Sequence, residues 1–149
     1  MSAGVLHRLD QALGDGFGED AAKVGRTEAT ARVLLAIAPG EGVPMGEMAR
    51  RLGRDPSTAT RFVDRVVKEG LVGRGPGEVD RRCRVVGLTP DGEAVRERLV
   101  VLRQDRARAI HEAVQGRTGL GPGQVDWFLQ ALADAVAGPS SSPSSPATP

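Results

Sequence analysis

The chain has 149 residues, 40% of them hydrophobic and 26% charged, with a formal net charge of +1. That length suits one domain with a real core, and the composition is that of an ordinary globular protein. A single cysteine excludes an internal disulfide framework, two distant histidines leave no zinc-like ligand set, and no apolar run approaches the roughly 20 residues a bilayer requires.

The amino terminus lacks a basic-then-apolar leader, so the expected location is cytoplasmic, with no membrane partner. Net charge says little about nucleic acid, but its distribution says more. Residues 50–84 hold ten basic and five acidic side chains, a local +5 that leaves −4 for the rest of the chain. A basic middle between acidic flanks is the footprint of a lobe that meets a polyanion.

In chain order, Val5, Leu6, Leu9, Leu13 and Phe17 keep a helical spacing from about Ser2. Gly14, Gly16 and Gly18 each cost about 1 kcal/mol in a helix interior and predict a break or bend there. Their G-x-G-x-G follows no strand and lacks the rest of a phosphate-loop fingerprint. Thr27 predicts the cap of a second helix that turns Val33, Leu34 and Ile37 inward and ends before Pro39-Gly40. A short amphipathic helix with Glu47, Met48, Ala49 and Leu52 follows, closed by Gly53.

Asp55-Pro56 is a strong start signal, an acidic cap followed by proline at the first helical position. Ala59, Phe62, Val63, Val66 and Val67 then form one apolar stripe. Ser57, Arg61, Asp64 and Lys68 stand on the opposite face, flanked by Thr58, Thr60 and Arg65. Hydroxyls and guanidinium groups near a helix start are the side chains that reach base edges and phosphates. Gly70 ends this helix.

Two strands are predicted at 71–74 and 84–88, joined by a turn-rich loop, 75–82, that closes on Arg81 and Arg82 and leads into Arg84. An arginine-tipped hairpin beside such a helix can enter a minor groove. Asp80 repels phosphate, so its expected role is to hold a neighbouring arginine in place. Thr89-Pro90 opens the longest helix, to about Val114, with Val95, Leu99, Leu102, Arg106, Ala109 and Ala113 near one face. A last helix over 124–137 spaces Val125, Phe128, Leu129, Leu132, Ala133 and Val136 helically, with Trp127 beside them. Too little chain remains to bury both helices, which predicts a two-fold dimer. From Gly138 the sequence GPSSSPSSPATP is low-complexity and is expected to be disordered.

The segments ARRLGRDPSTATRFVDRVVKEGLVGR and DRRCRVVGLTPDG resemble the MarR family of winged-helix transcriptional regulators. The resemblance runs from about Thr27 to Leu99 and is most specific in Asp80-Arg81-Arg82 with Leu88-Thr89-Pro90-Asp91-Gly92. It implies a homodimer, a recognition helix over 55–69 and a wing arginine, best matched by Arg82, in the minor groove. Pro44 stands where the family usually has a threonine-type cap, and Arg54 where it has a small aliphatic residue. Thiol sensing and binding of small phenolic anions occur in the family. The candidates here are Cys83, between Arg82 and Arg84, as a redox thiol, and His7 and His111 lining an effector pocket; ordinary packing is the competing reading for all three.

The expected fold is mainly α, a winged helix-turn-helix lobe of three helices and a two- or three-stranded β wing, with dimerisation helices at both ends. The divisions are 1–26 (N-terminal dimerisation helix), 27–89 (winged lobe), 90–137 (C-terminal dimerisation helices) and 138–149 (tail). The expected function is a dimeric, sequence-specific regulator, a repressor on a pseudo-palindromic operator, with a small-molecule effector as a further partner. Its DNA-binding set is Ser57, Thr58, Thr60, Arg61, Arg65, Lys68, Arg81, Arg82 and Arg84, with Asp80 in support. The alternative is a winged-helix module that binds protein and not DNA. No nucleophile elbow, P-loop lysine or H-E-x-x-H occurs, so no enzyme activity, cofactor or metal is expected.

Overall fold

The computed structural model describes residues 3–137, and among them the side chains of 11 and 14–134. His7 and the apolar residues Val5, Leu6, Leu9, Leu13 and Val136 are thus outside the described side chains, and the tail from Gly138 lies outside the described residues. Two compact units divide at Gln104–Asp105. No described helix is long and apolar enough to cross a membrane.

In the first unit, α1 (Ala3–Lys23) continues through Gly14, Gly16 and Gly18, where glycine content predicts a break. None of the three adopts a positive φ, and the chain turns instead at Gly25, with φ 69°. Tertiary contacts outweigh the local propensity. Asp20 and Ala21 are buried, Arg103 reaches Asp20 at 3.3 Å, and the guanidinium groups of Arg32 and Arg103 lie 4.6 and 4.8 Å from the centre of the Phe17 ring.

Helix α2 (Glu28–Leu35) starts as its sequence dictates, with Thr27 Oγ1 accepting the Thr30 amide. Val33, Leu34 and Ile37 are fully buried. Strand β1 (Val43–Pro44) precedes α3 (Met45–Leu52) and α4 (Pro56–Lys68), and β2 (Val72–Pro76) pairs with β3 (Arg84–Leu88). The sheet order is β1-β3-β2, antiparallel, with Val43 opposite Val86 and Arg74 opposite Val86 on the other side. Strand β1 is two residues long and contains proline, so no alternation announces it, and β2 runs two residues past its predicted end. Pro44 offers no side-chain cap to α3 and sits in the sheet opposite Val85. Met48, Val63, Val66, Leu71, Val86 and Leu99 close the core.

Arg51 ties three of these pieces together. Its guanidinium donates to the Ala36 carbonyl at 2.8 Å, to both Glu41 oxygens at 2.9 and 2.7 Å, and to Glu47 at 3.1 Å. Those bonds, with the Ala38 amide, hold the Glu41 carboxyl at a pKa of about 2, well below its ordinary 4.5.

The start of α5 (Pro90–Thr118) is fastened to the end of α4. Thr89 Oγ1 donates to the Gly70 carbonyl at 2.7 Å and accepts the Gly92 amide at 3.1 Å, and the Thr89 amide reaches the Leu71 carbonyl at 3.1 Å. The helix runs past the predicted Val114 to Gly119, whose φ of 68° stops it. In the second unit, residues of α5 from Asp105 pack with α6 (Pro122–Ala137), which begins two residues before the predicted Gln124. His111 Nε2 lies 3.3 Å from the Pro122 carbonyl and 3.1 Å from Asp126, so this histidine bridges the two helices. Val125 is fully buried, whereas Trp127 is 72% and Phe128 48% exposed.

Two outcomes follow. A Cβ at Gly92 would overlap the Leu71 carbonyl, so Gly92→Ala should destabilise the fold by about 3 kcal/mol in urea unfolding. Because Glu41 is depressed in the folded state, its stabilisation is present above pH 4.5 and lost as pH falls towards about 2. Glu41→Gln should therefore flatten the acid dependence of thermal stability between those values.

Candidate nucleic-acid interface

Helix α4 is set by its ends and by one buried stripe. Gly53, at φ 60°, closes α3, and the Asp55 carboxylate accepts the Thr58 amide at 3.0 Å with Pro56 in the first turn. Hydrogen bonds from Ser57 and Thr58 hold the Asp55 carboxyl far below its ordinary range. At the other end the Gly70 amide reaches the Val67 carbonyl and the Leu71 amide the Val66 carbonyl, across a glycine at φ 73°. Ala59, Val63 and Val66 are fully buried, with Phe62 and Val67 half-buried beside them. With 3.6 residues per turn, Ser57, Thr60, Arg61, Arg65 and Lys68 are all left exposed, and Thr58 is partly covered.

The basic segment separates into paired and unpaired charge. Arg50 pairs with Glu47, Arg51 with Glu41 and Glu47, and Arg74 with Asp64 at 2.6 Å. Asp64, predicted on the outer face of α4, therefore ties that helix to β2. Glu69 accepts the Thr30 hydroxyl at 2.9 Å and faces Arg26 at 3.6 Å. Among the described residues no carboxylate partner is seen for Arg54, Arg61, Arg65, Lys68, Arg81, Arg82 or Arg84. Arg61 donates to Thr58 Oγ1 at 3.3 Å. Arg54 is outside the predicted set. It is exposed in the turn between α3 and α4, and its place just before the Asp55 cap was the available signal.

The wing loop folds on its own backbone. The Gly77 amide donates to the Cys83 carbonyl at 2.8 Å and the Cys83 amide to the Asp80 carbonyl at 3.0 Å. A Cβ at Gly77 would lie 2.8 Å from the Asp80 carbonyl, so glycine is needed there. Asp80 meets its arginine through the backbone: Oδ1 accepts the Arg82 amide at 2.9 Å, leaving the Arg81, Arg82 and Arg84 side chains outward. Cys83 is exposed, with Sγ 3.9 Å from Asp80 Oδ2.

Three helices, a glycine turn between the second and third, and a hairpin packed after them make this lobe a winged helix-turn-helix. Residues 27–84 match the sequence profile of the MarR family. Among curated relatives, the HTH-type transcriptional regulator YsmB of Bacillus subtilis is 32% identical over 69 residues, 46% of this chain and 47% of that protein. The transcriptional activatory protein BadR of Rhodopseudomonas palustris is 36% identical over 75 residues, 50% of this chain and 41% of that one. The matched stretch thus spans under half the length of either relative. Among solved structures, apo MarR from E. coli is 25% identical with a TM-score of 0.67, covering 89% of this chain and 96% of that one. The repressor CouR bound to a 23-mer DNA duplex is 27% identical with a TM-score of 0.68, covering 89% of each chain.

The Asp80 brace can be checked without any ligand. Asp80→Ala should speed hydrogen exchange at the Arg82 amide while changing global stability by no more than about 0.5 kcal/mol, as expected for an exposed position.

Proposed function

We propose that the protein is a homodimeric, sequence-specific regulator that binds double-stranded DNA. Helix α4 enters the major groove, where Ser57, Thr58, Thr60 and Arg61 meet base edges and Arg65 and Lys68 meet phosphates. Arg82, with Arg81 and Arg84 beside it, reaches the adjacent minor groove. The observation that carries this reading is the sorting of charge. Arg61, Arg65 and Lys68 of α4 and Arg81, Arg82 and Arg84 of the wing loop and its exit lack carboxylate partners among the described residues, while Arg50, Arg51 and Arg74 are paired. The DNA-bound state of CouR, a relative by fold and sequence, supports it.

The dimer is supported by apolar surface in the second unit, where Ile110, Leu120, Trp127 and Phe128 are exposed. A two-fold pair would present two copies of α4 to successive turns of one duplex. Repression, with relief by a small anionic aromatic ligand, completes the proposal. A groove of about 190 Å³ lined by Phe17, Arg32, Leu35, Ala36, Arg51 and Leu52 has the size for a small ring, and an anion there would compete with Glu28 for Arg32.

Selection of bound sites from random duplexes, followed by titration at several salt concentrations, tests the reading. A short palindrome should be enriched and bound with steep salt dependence. Arg61→Ala should cost about 1–3 kcal/mol and relax base preference, whereas Lys68→Ala should weaken specific and random DNA alike and lower the salt slope by about one. A protein that sediments as a monomer and ignores every duplex would sink the proposal, and a co-purifying protein in that case would favour a winged-helix interaction module.

A further inference from the structure

The hydroxyl groups on the leading edge of α4 have fixed directions. Ser57 Oγ lies 2.5 Å from Asp55 Oδ1, and Thr60 Oγ1 lies 2.8 Å from the Pro56 carbonyl oxygen. An ionised carboxylate and a carbonyl have no proton to give, so in both bonds the hydroxyl must donate. A hydroxyl owns one proton and two lone pairs, so Ser57 and Thr60 face outward as acceptors. The Ser57 bond is charge-assisted, about twice as strong as a neutral one, which opposes its turning round for a ligand. Arg61, in contrast, is all donor, and its Nη2 is oriented by Thr58 Oγ1 at 3.3 Å.

The major groove offers two kinds of hydrogen-bond donor, adenine N6 and cytosine N4; guanine N7 and O6, adenine N7 and thymine O4 all accept. We infer that the Ser57–Thr60 edge of α4 reads the exocyclic amino group of an adenine or a cytosine, and that guanine is left to Arg61. This rests on the DNA-binding function proposed for the lobe and narrows it to the chemistry of the bases read. The Thr60 methyl group adds apolar contact with a neighbouring thymine methyl without altering the polarity of the edge. The exposed Asp55 carboxylate adds negative charge at the same end of the helix, so the edge as a whole repels the acceptor atoms of guanine and thymine.

The test uses the intact protein and duplexes carrying its selected site. Ser57→Ala and Thr60→Val change exposed side chains, so both variants should fold, and the base positions whose enrichment they flatten locate the contacts. At those positions the adenine or cytosine is replaced by a base lacking the amino group (purine or 2-pyrimidinone). In parallel, a 7-deazapurine is placed in the same base pair. Loss of the amino group should weaken wild type about two- to tenfold, the worth of one hydrogen bond, and leave indifferent whichever variant, Ser57→Ala or Thr60→Val, flattened that position. The 7-deaza change should affect wild type and that variant equally, because any contact to N7 belongs to a donor such as Arg61. The inference is overturned by a loss on 7-deaza substitution that Ser57→Ala abolishes, or by site selection that neither variant alters. Those outcomes leave DNA binding itself intact. If wild type enriches no site at all, the binding function falls and the inference with it.

Discussion

Burial of one face of α4 is the constraint on which the lobe depends. Ala59, Val63 and Val66 are withdrawn from water against a core that includes Met48, Leu71 and Val86. A buried valine contributes roughly 1.5–3 kcal/mol, whereas a surface ion pair such as Asp64–Arg74 contributes about 0–1. The apolar stripe therefore sets the rotation of the helix, and the ion pairs only adjust its surroundings. Once that rotation is set, helical geometry leaves no choice about which side chains point outward.

The ends of the elements then fix direction. Gly53 and Gly70 supply the left-handed turns before and after α4, and Asp55 caps its first turn. Thr89 bonds back to Gly70 while capping α5, so the origin of the long helix is registered on the end of α4. A movement of α5 at its start would thus be felt at α4 through hydrogen bonds, with Glu69–Thr30 linking the same end of α4 to α2.

Charge is arranged by contact as well as by composition. Four of the five acids of the basic segment have structural tasks: Asp55 at the cap, Asp64 on Arg74, Glu69 on Thr30 and Asp80 in the wing turn. Each draws negative charge inward or sideways, and the arginines of the outer face of α4 and of the wing are left to the solvent. A local excess of +5 understates this separation, because paired and unpaired cations count equally in a sequence.

Much of the lobe was legible without coordinates. Thr27, Asp55-Pro56, Gly53, Gly70 and Thr89-Pro90 are local signals, since a cap or a left-handed turn is decided by the residue that occupies it. The stripe on α4 was legible for the same reason, a period of 3.6 written in the chain. Strand β1 was not, because two residues including a proline carry no pattern and become a strand only when Val86 and Val85 lie alongside. The continuity of α1 through three glycines was not, because contacts at Phe17 and Asp20 come from α2 and α5. Where the helices of the lobe begin and which face of α4 is buried are written in the chain, since both follow from neighbours within a turn or two. Tertiary structure alone decided which charges are neutralised and which hydroxyl protons are already engaged, since an ion pair such as Arg51–Glu41 exists only once distant segments are packed together.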